Sequence, residues 1–260
     1  MKLDDRRQQI VELLMEAGSV TLEELAQRFN VSKMTIHRDL DDLESAGMLR
    51  KVRGGASIET SLQFESDYRY RERRDAEEKR CIARAAADLI EPGMTVLIND
   101  GTTAGLLAEL LPEKRPLTVI TNNMAAIGAL WNANGINLLA LGGNYSRKFN
   151  GFFGLVTEES LMRLRADVSF ISAPAVSGMA CFHMDHEVVR TKRLMISCGA
   201  RSYLLVDHQK FGRTALHHLA NLTEFEAIIT GAALERSISA PLVDAGIRLI
   251  SVGEERTHEQ

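Results

Sequence analysis

The sequence predicts two domains of different class: a small helical one closed by a short β-hairpin, then an α/β domain with a largely parallel sheet. Three observations carry this. The first sixty residues show helical apolar spacing broken by turn signals, and they end in a basic stretch with paired glycines. The segment Phe64 to Arg80, "FESDYRYRERRDAEEKR", is charged and almost without aliphatic residues. Beyond it, short β-branched apolar runs alternate with helical patterns to the end of the chain. The expected division is therefore 1–60, a charged linker over 61–80, and 81–260.

Composition fits that division. The 260 residues, 45% hydrophobic and 25% charged, are those of an ordinary globular protein with room for a small and a medium domain. No apolar run approaches the roughly 20 residues that span a bilayer, so no membrane partner is expected. The start, "MKLDDRRQQI", puts an acidic pair where a signal peptide has its apolar core. Cys81, Cys181 and Cys198 are too scattered for a disulfide framework, and a cytoplasmic location is expected. The formal charge of −4 argues against a protein that coats nucleic acid indiscriminately, but it does not forbid a local basic surface.

In the first domain, Ile10, Val11, Leu13 and Leu14 predict a helix from Asp5 to Ala17 that Gly18 ends. "TLEE" is a capping box for a second helix, with Leu22, Leu25, Ala26 and Phe29 as its buried stripe. Asn30 suits a left-handed turn, and Ser32 an N-cap for a third helix. There Ile36, Leu40 and Leu43 face the core. The opposite side carries Lys33, Met34, His37 and Arg38, while Asp39, Asp41, Asp42 and Glu44 lie along the helix and add acid. Two short helices joined this way form a helix-turn-helix, whose second helix puts its N-terminal side chains into the major groove. The candidates are Ser32, Lys33, Met34, Thr35, His37 and Arg38. In "MLRKVRGGASI", alternation around Gly54-Gly55 predicts a hairpin wing. Arg50, Lys51 and Arg53 would lie against phosphates, giving affinity without sequence information. The competing account is a three-helix structural module with solvated charges.

In the second domain, Ile82 to Ile90 predict a helix closed by Pro92-Gly93. The strands are "TVLIND", "LTVITN", "INLLALGG", "DVSFISA", "RSYLLVD", "EAIIT" and "RLISVG", most of them apolar enough to be buried on both faces. In such a sheet ligands collect beyond the carboxyl ends of the strands. Three strand ends suit that purpose. Asp100 and Gly101 lead into a helix at Thr102 and Thr103, where hydroxyls and open amides form an anion site. Thr121, Asn122 and Asn123 repeat the design, and Gly142-Gly143 is followed by Ser146, Arg147 and Lys148. Later, Asp207 ends a strand with Lys210 three residues on, a point charge suited to a phosphate or a sugar hydroxyl. Glu187 and the pair Lys192-Arg193 follow the loop "MACFHMDHE" and could close over the pocket.

The segment "VSKMTIHRDLDDLESAGMLRKVRGGA" resembles the N-terminal signature of DeoR-type bacterial transcription regulators. The family typically reads Thr-Ile-Arg-Arg-Asp-Leu and ends the wing with His-Gly-Gly-Ala. This chain has His37 at the first arginine and Arg53 before Gly54, and a neutral imidazole cannot make the arginine fork to guanine. The second domain resembles the same family's effector domain in its ordered Asp-Gly-Thr-Thr, Thr-Asn, Gly-Gly, loop glutamate and Asp-x-x-Lys-Phe-Gly. That domain is similar in fold to ribose-5-phosphate isomerase and binds phosphorylated sugars or related metabolites. The resemblance implies that Gly101, Thr102, Thr103, Asn122, Asp207 and Lys210 surround the ligand. Two departures bear on which ligand fits: Ala173-Pro174 replace a glycine-rich stretch, and Thr230-Gly231 stand where Thr-Asp is usual.

Two rivals remain. An isomerase would need a carboxylate base, for which Asp100 and Glu187 are candidates. The related enzymes' Asp-Gly-Ala-Asp segment has no counterpart at "SFISAPAVSG", however. Metal sensing could use Cys181, His183, Asp185 and His186, although paired zinc-type spacing is absent. The expectation is a regulator with no catalytic residues, no metal and no cofactor. It would bind double-stranded operator DNA as a homodimer or homotetramer. As a repressor of a carbohydrate-catabolism operon, it would be released by a phosphorylated sugar or polyol.

Overall fold

The computed structural model describes residues 3–45, 48–57, 68–231 and 234–252, and the chain divides into two compact units, 1–74 and 75–260. Part of the charged stretch expected as a linker lies outside the described residues.

The first unit runs α1 (Leu3–Ala17), β1 (Ser19–Thr21), α2 (Leu22–Phe29), α3 (Lys33–Ser45), β2 (Arg50–Val52), β3 (Gly55–Ser57) and α4 (Tyr68–Arg73). The capping box forms: Thr21 Oγ1 accepts from the Glu24 amide at 3.2 Å, and Glu24 Oε2 accepts from the Thr21 amide at 2.8 Å. That backbone bond also holds the Glu24 carboxyl below the usual carboxylate range. Asn30 takes the left-handed conformation, φ 51°, between α2 and α3. Ile10, Leu14, Leu25, Ile36 and Leu40 are fully buried together.

The expected hairpin wing is corrected here. The wing has three strands, in order β1-β3-β2, and its turn falls at Arg53-Gly54, with Gly55 already in β3. Gly55 is needed there because an added Cβ would lie 2.1 Å from the Val20 carbonyl oxygen of β1. Asp39, one of the acids along α3, lies in the core. It is 1% exposed, takes a bidentate pair from Arg6 at 2.6 and 3.2 Å, and accepts from Arg7 Nε at 3.3 Å. The bond to Asp39 raises the Arg6 guanidinium above its ordinary value.

The second unit begins with α5 (Ala76–Ala87), β4 (Thr95–Ile98), α6 (Thr102–Leu110), β5 (Leu117–Thr121), α7 (Met124–Leu130) and β6 (Ile136–Ala140). A hairpin, β7 (Asn144–Ser146) with β8 (Gly151–Phe153), leads to α8 (Leu155–Leu161) and β9 (Ala166–Ser172). Next come β10 (Ala175–Ser177), β11 (Ala180–His183), α9 (His186–Cys198), β12 (Gly199–Leu205) and β13 (His217–Asn221). The unit closes with β14 (Ala227–Thr230), α10 (Arg236–Asp244) and β15 (Leu249–Ser251).

All seven expected strands join one parallel sheet, in order β15-β14-β12-β9-β4-β5-β6. The period of two sorts its side chains. Val96, Ile98, Val119, Phe170, Leu205 and Ile229 pack on one face against Ile82, Ala86, Leu107 and Leu130 of α5, α6 and α7. Leu97, Ile120, Ile171, Leu204 and Ile228 face the other way, toward Leu161, Val189, Met195 and Leu242 of α8, α9 and α10. The edge strand β6 is half open to solvent, so burial on both faces does not extend to it. The stretch read as a loop from Met179 contains β11, paired with β10 and β13.

The strand order reverses between β4 and β9: the chain runs outward through β5 and β6, then returns to the other side of β4. The carboxyl ends of these two strands thus flank the crevice where such sheets take ligands.

Replacing Asp39 with Ala leaves Arg6 buried without its counter-ion and is expected to cost about 3–5 kcal/mol. Asp42→Ala, which loses only the exposed partner of Arg7, is expected to cost under about 1 kcal/mol. Urea unfolding of the full chain, read by hydrogen exchange in α3, distinguishes the two.

Candidate functional site

On the first unit the recognition surface is the N-terminal part of α3 with the wing. Met34 is 64% exposed, Lys33 and Arg38 are exposed, and His37 is half-buried. Ser32 and Thr35 are occupied with each other: Ser32 Oγ accepts from the Thr35 amide at 3.1 Å and lies 2.9 Å from the Thr35 hydroxyl. Their first task is therefore to start α3. Lys33 pairs with Glu23 at 2.8 Å, and Lys51 pairs with Asp41. Both pairs are solvent-accessible and weak enough to exchange for phosphate. The exposed Arg38, Arg50 and Arg53 make no ion pair among the described residues.

On the second unit the expected ligand residues gather at the carboxyl ends of β4, β5 and β12. Gly101 precedes α6 at φ 141° with no side-chain cap on the helix, leaving the first-turn amides without an intrahelical partner. A Cβ at Gly101 would meet Ser172 Oγ at 2.3 Å, so only glycine lets the ends of β4 and β9 approach. Asn99 ties those ends together: its Nδ2 donates to Ser172 Oγ at 3.3 Å, and its Oδ1 accepts from the Ser172 amide at 3.1 Å. Thr102 and Thr103 are buried at the start of α6.

Asp100 and Lys192 are 0% and 1% exposed, 3.5 Å apart, and Lys192 also donates to the Ser172 carbonyl at 2.9 Å. Lys192 was expected only as part of a closing basic pair; it is instead a buried strut between the two strand ends. One signal for it was present. Val188, Lys192 and Met195 recur at i, i+4 and i+7, so the lysine stands in the apolar stripe of α9. Asn99 and Ser172 had no such signal.

The turn at Thr121 and Asn122 departs from its expected role. Asn123 Oδ1 accepts from the Ala125 and Ala126 amides at 3.0 and 3.4 Å, closing the start of α7 to an anion. Its Nδ2 clamps the Asn99 and Gly101 carbonyls. Asn122 remains at the site, its Nδ2 bonded to the Phe152 carbonyl at 2.9 Å and its Oδ1 buried without a hydrogen bond. Thr121 Oγ1 serves the Asn123 amide.

Gly142 and Gly143 are exposed and lead into the β7–β8 hairpin, where Arg147 is exposed in the turn. That hairpin crosses the strand ends, since a Cβ on Gly151 would lie 3.2 Å from Asp100 and 3.1 Å from the Asn122 carbonyl. Glu187 is exposed at the start of α9, its Oε1 3.3 Å from a Cβ built on Gly154. Asp207 is 2% exposed, with Oδ1 lacking a hydrogen bond and Oδ2 3.7 Å from Lys210 Nζ. A cavity of about 180 Å³ beside Phe211 and α10, and a groove of about 480 Å³ along the amino ends of β5 and β6, are not lined by these residues.

The segment suggesting metal ligands is used otherwise. Cys181 donates to the Ala220 carbonyl, and burial pushes its thiol up to about 12. His183 Nδ1 accepts from the Asp185 amide, Asp185 caps α9, and no three metal-binding side chains converge among the described residues.

A helix-turn-helix unit with a wing, followed by an α/β unit that opens its polar crevice at a reversal of strand order, defines a DNA-binding regulator with a sensor domain. The DeoR-like helix-turn-helix domain model matches residues 6–62, and that of the DeoR C-terminal sensor domain matches 74–232. The chain belongs to the DeoR family of transcriptional regulators. The glycerol-3-phosphate regulon repressor of Escherichia coli (strain K12) is 31% identical over 96% of this chain and 99% of its own length. The lactose phosphotransferase system repressor of Staphylococcus epidermidis is 34% identical over 87% and 91%, and the L-fucose operon activator of Haemophilus influenzae 32% over 88% and 92%. A solved ribose-5-phosphate isomerase in complex with phospho-erythronic acid aligns over 52% of this chain and 54% of its own, at 17% identity and TM-score 0.39. A likeness that distant bears on neither ligand nor chemistry. Among the described residues no helix is long and apolar enough to cross a membrane.

Native chain treated with iodoacetamide at pH 8 is expected to carry label on the half-exposed Cys81 and none on Cys181, whose thiol stays protonated. Peptide mass mapping reads this, and rapid labelling of Cys181 would contradict the buried environment described.

Proposed function

We propose that the chain is a cytoplasmic repressor of a carbohydrate-catabolism operon, released from its operator by a phosphorylated sugar or polyol. One observation carries the ligand class. At the strand ends, an uncapped helix start sits in sequence beside Asp100, and Asp100 Oδ2, Asn122 Oδ1 and Asp207 Oδ1 are buried acceptors without a hydrogen bond. Open amides take an anion, whereas buried carboxylate and amide oxygens require donors. A molecule with a phosphate at one end and hydroxyls along its length satisfies both demands. Two buried carboxylates would repel the phosphate, so it belongs at the open amides of Thr102 and Thr103, with the hydroxyls at Asp100, Asn122, Asp207 and Lys210.

The names of the relatives, which concern glycerol 3-phosphate, lactose and fucose, favour a carbohydrate or polyol derivative, and the first of them a phosphorylated one. Such a ligand releases DNA only if it binds the weakly DNA-binding conformation better. In this reading Met34, His37 and Arg38 reach base edges, while Lys33, Arg50, Lys51 and Arg53 contact phosphates. One short helix reads one half-site, so the working form is a homodimer or homotetramer.

Arg38→Ala is expected to weaken binding to an operator selected from random DNA by roughly 1–3 kcal/mol and to narrow its margin over unselected DNA. An unchanged margin in a gel-shift titration removes the base-reading role. Lys210→Ala is expected to keep operator affinity but lose release by every sugar phosphate that releases the wild type. Normal release would overturn the assignment of Lys210.

A further inference from the structure

The turn that carries Asp207 and Lys210 has a second side. Between these two residues stand His208 and Gln209, in a single 3-10 turn, His208–Lys210, closed by the Lys210 amide on the Asp207 carbonyl at 3.1 Å. Both grip the start of α5. The His208 amide donates to Glu78 Oε1 at 2.8 Å, His208 Nδ1 lies 2.7 Å from Glu78 Oε2, and Gln209 Nε2 donates to Asp75 Oδ1 at 3.0 Å.

Asp75 is the first residue of the second unit, directly after Arg74, the last residue of the first. It holds a left-handed conformation, φ 53°, and precedes α5 without capping it through its side chain, while its carbonyl accepts from the Lys79 amide at 3.0 Å. Aspartate enters that region more readily than most side chains, but at a cost that glycine does not bear. The other flank is also close: a Cβ on Gly231, at the end of β14, would lie 1.9 Å from Glu78 Cγ. The first turn of α5 is thus seated on the ends of β12 and β14, and each end carries a buried polar atom without a hydrogen bond, Asp207 Oδ1 and Thr230 Oγ1.

We propose that this turn is the coupling element of the regulator: His208 and Gln209 hold Asp75 and Glu78, and so fix the chain junction in its operator-binding form. The device rests on the reading that Asp207 and Lys210 face the effector. A ligand that draws on them moves a turn of three residues, and the grip on Asp75 and Glu78 moves with it. Only a two-state element that both sites bias transmits such a change. In this proposal Asp75, in its left-handed conformation and hydrogen-bonded to Gln209, is that element.

The test uses the full chain and DNA selected from a random pool by the wild type, with no ligand present. His208→Ala combined with Gln209→Ala is expected to weaken binding by about tenfold or more, mimicking the effector. Gln209→Glu, which sets a carboxylate against Asp75, is expected to do the same at an unchanged thermal transition. Asp75→Asn added to Gln209→Glu exchanges donor and acceptor, and is expected to restore affinity to within about threefold. Asparagine tolerates the left-handed conformation, so the swap tests the bond and not the backbone. Affinities within about twofold of wild type in both loosened variants would overturn the proposal, and so would a swap that restores nothing. Because no ligand enters this assay, its failure leaves the effector pocket standing. A Lys210→Ala protein that is still released would remove the pocket assignment and leave the grip on Asp75 intact.

Discussion

Lys192, carried on α9, reaches the ends of β4 and β9 at once, with its ammonium 3.5 Å from Asp100 and 2.9 Å from the Ser172 carbonyl. Burying two such charges costs several kcal/mol each, and their attraction repays this only where further hydrogen bonds are in place. Here the Ser172 carbonyl supplies one to Lys192, while Asn99 pins Ser172 from the β4 side and Asn123 clamps the carbonyls on either side of Asp100. Gly101 permits the approach, since any side chain there would strike Ser172. The rest of the polar end inherits its geometry from this tie. The start of α6, the hairpin that crosses at Gly151 and the buried oxygens of Asn122 and Asp207 are arranged around two strand ends that cannot drift apart.

The same economy of charge explains how a chain of net charge −4 presents a basic face to DNA. Several acids of the first unit are each paired with a basic side chain. Asp39 disappears into the core against Arg6 and Arg7, Asp42 takes the other end of Arg7, and Glu23 and Asp41 hold Lys33 and Lys51. What reaches the surface of α3 and the wing without an acidic partner among the described residues is Arg38, Arg50 and Arg53. Position decides the surface potential, and the sum does not.

Local pattern made most of the architecture legible in the sequence. Seven apolar runs became seven parallel strands, "TLEE" became a capping box, and Asn30 took the left-handed turn. Periodicity reports which face a residue occupies, and these features depend on little else. It does not report what lies opposite. Asp39 reads only as one more acid along α3 until Arg6, 33 residues away, is found beside it. Lys192 reads as a lid residue until α9 is laid on the sheet. β1 spans three residues and β11 four, too short to show an alternation that separates them from loop. The turn at Asn122 looked like a second anion site because its residue types match the first, yet a single side chain, Asn123, closes it. Gly231 was legible only as a departure from a familiar pattern; the structure shows Glu78 lying where a side chain would go.

The most direct test of the account is release of the wild-type chain from its selected operator by a panel of phosphorylated sugars and polyols, beside their unphosphorylated forms and inorganic phosphate. One phosphorylated compound is expected to lower operator affinity by about tenfold or more, while its unphosphorylated form and phosphate alone do not. Specific operator binding that no phosphorylated compound alters, or that the unphosphorylated forms relieve equally well, would contradict it.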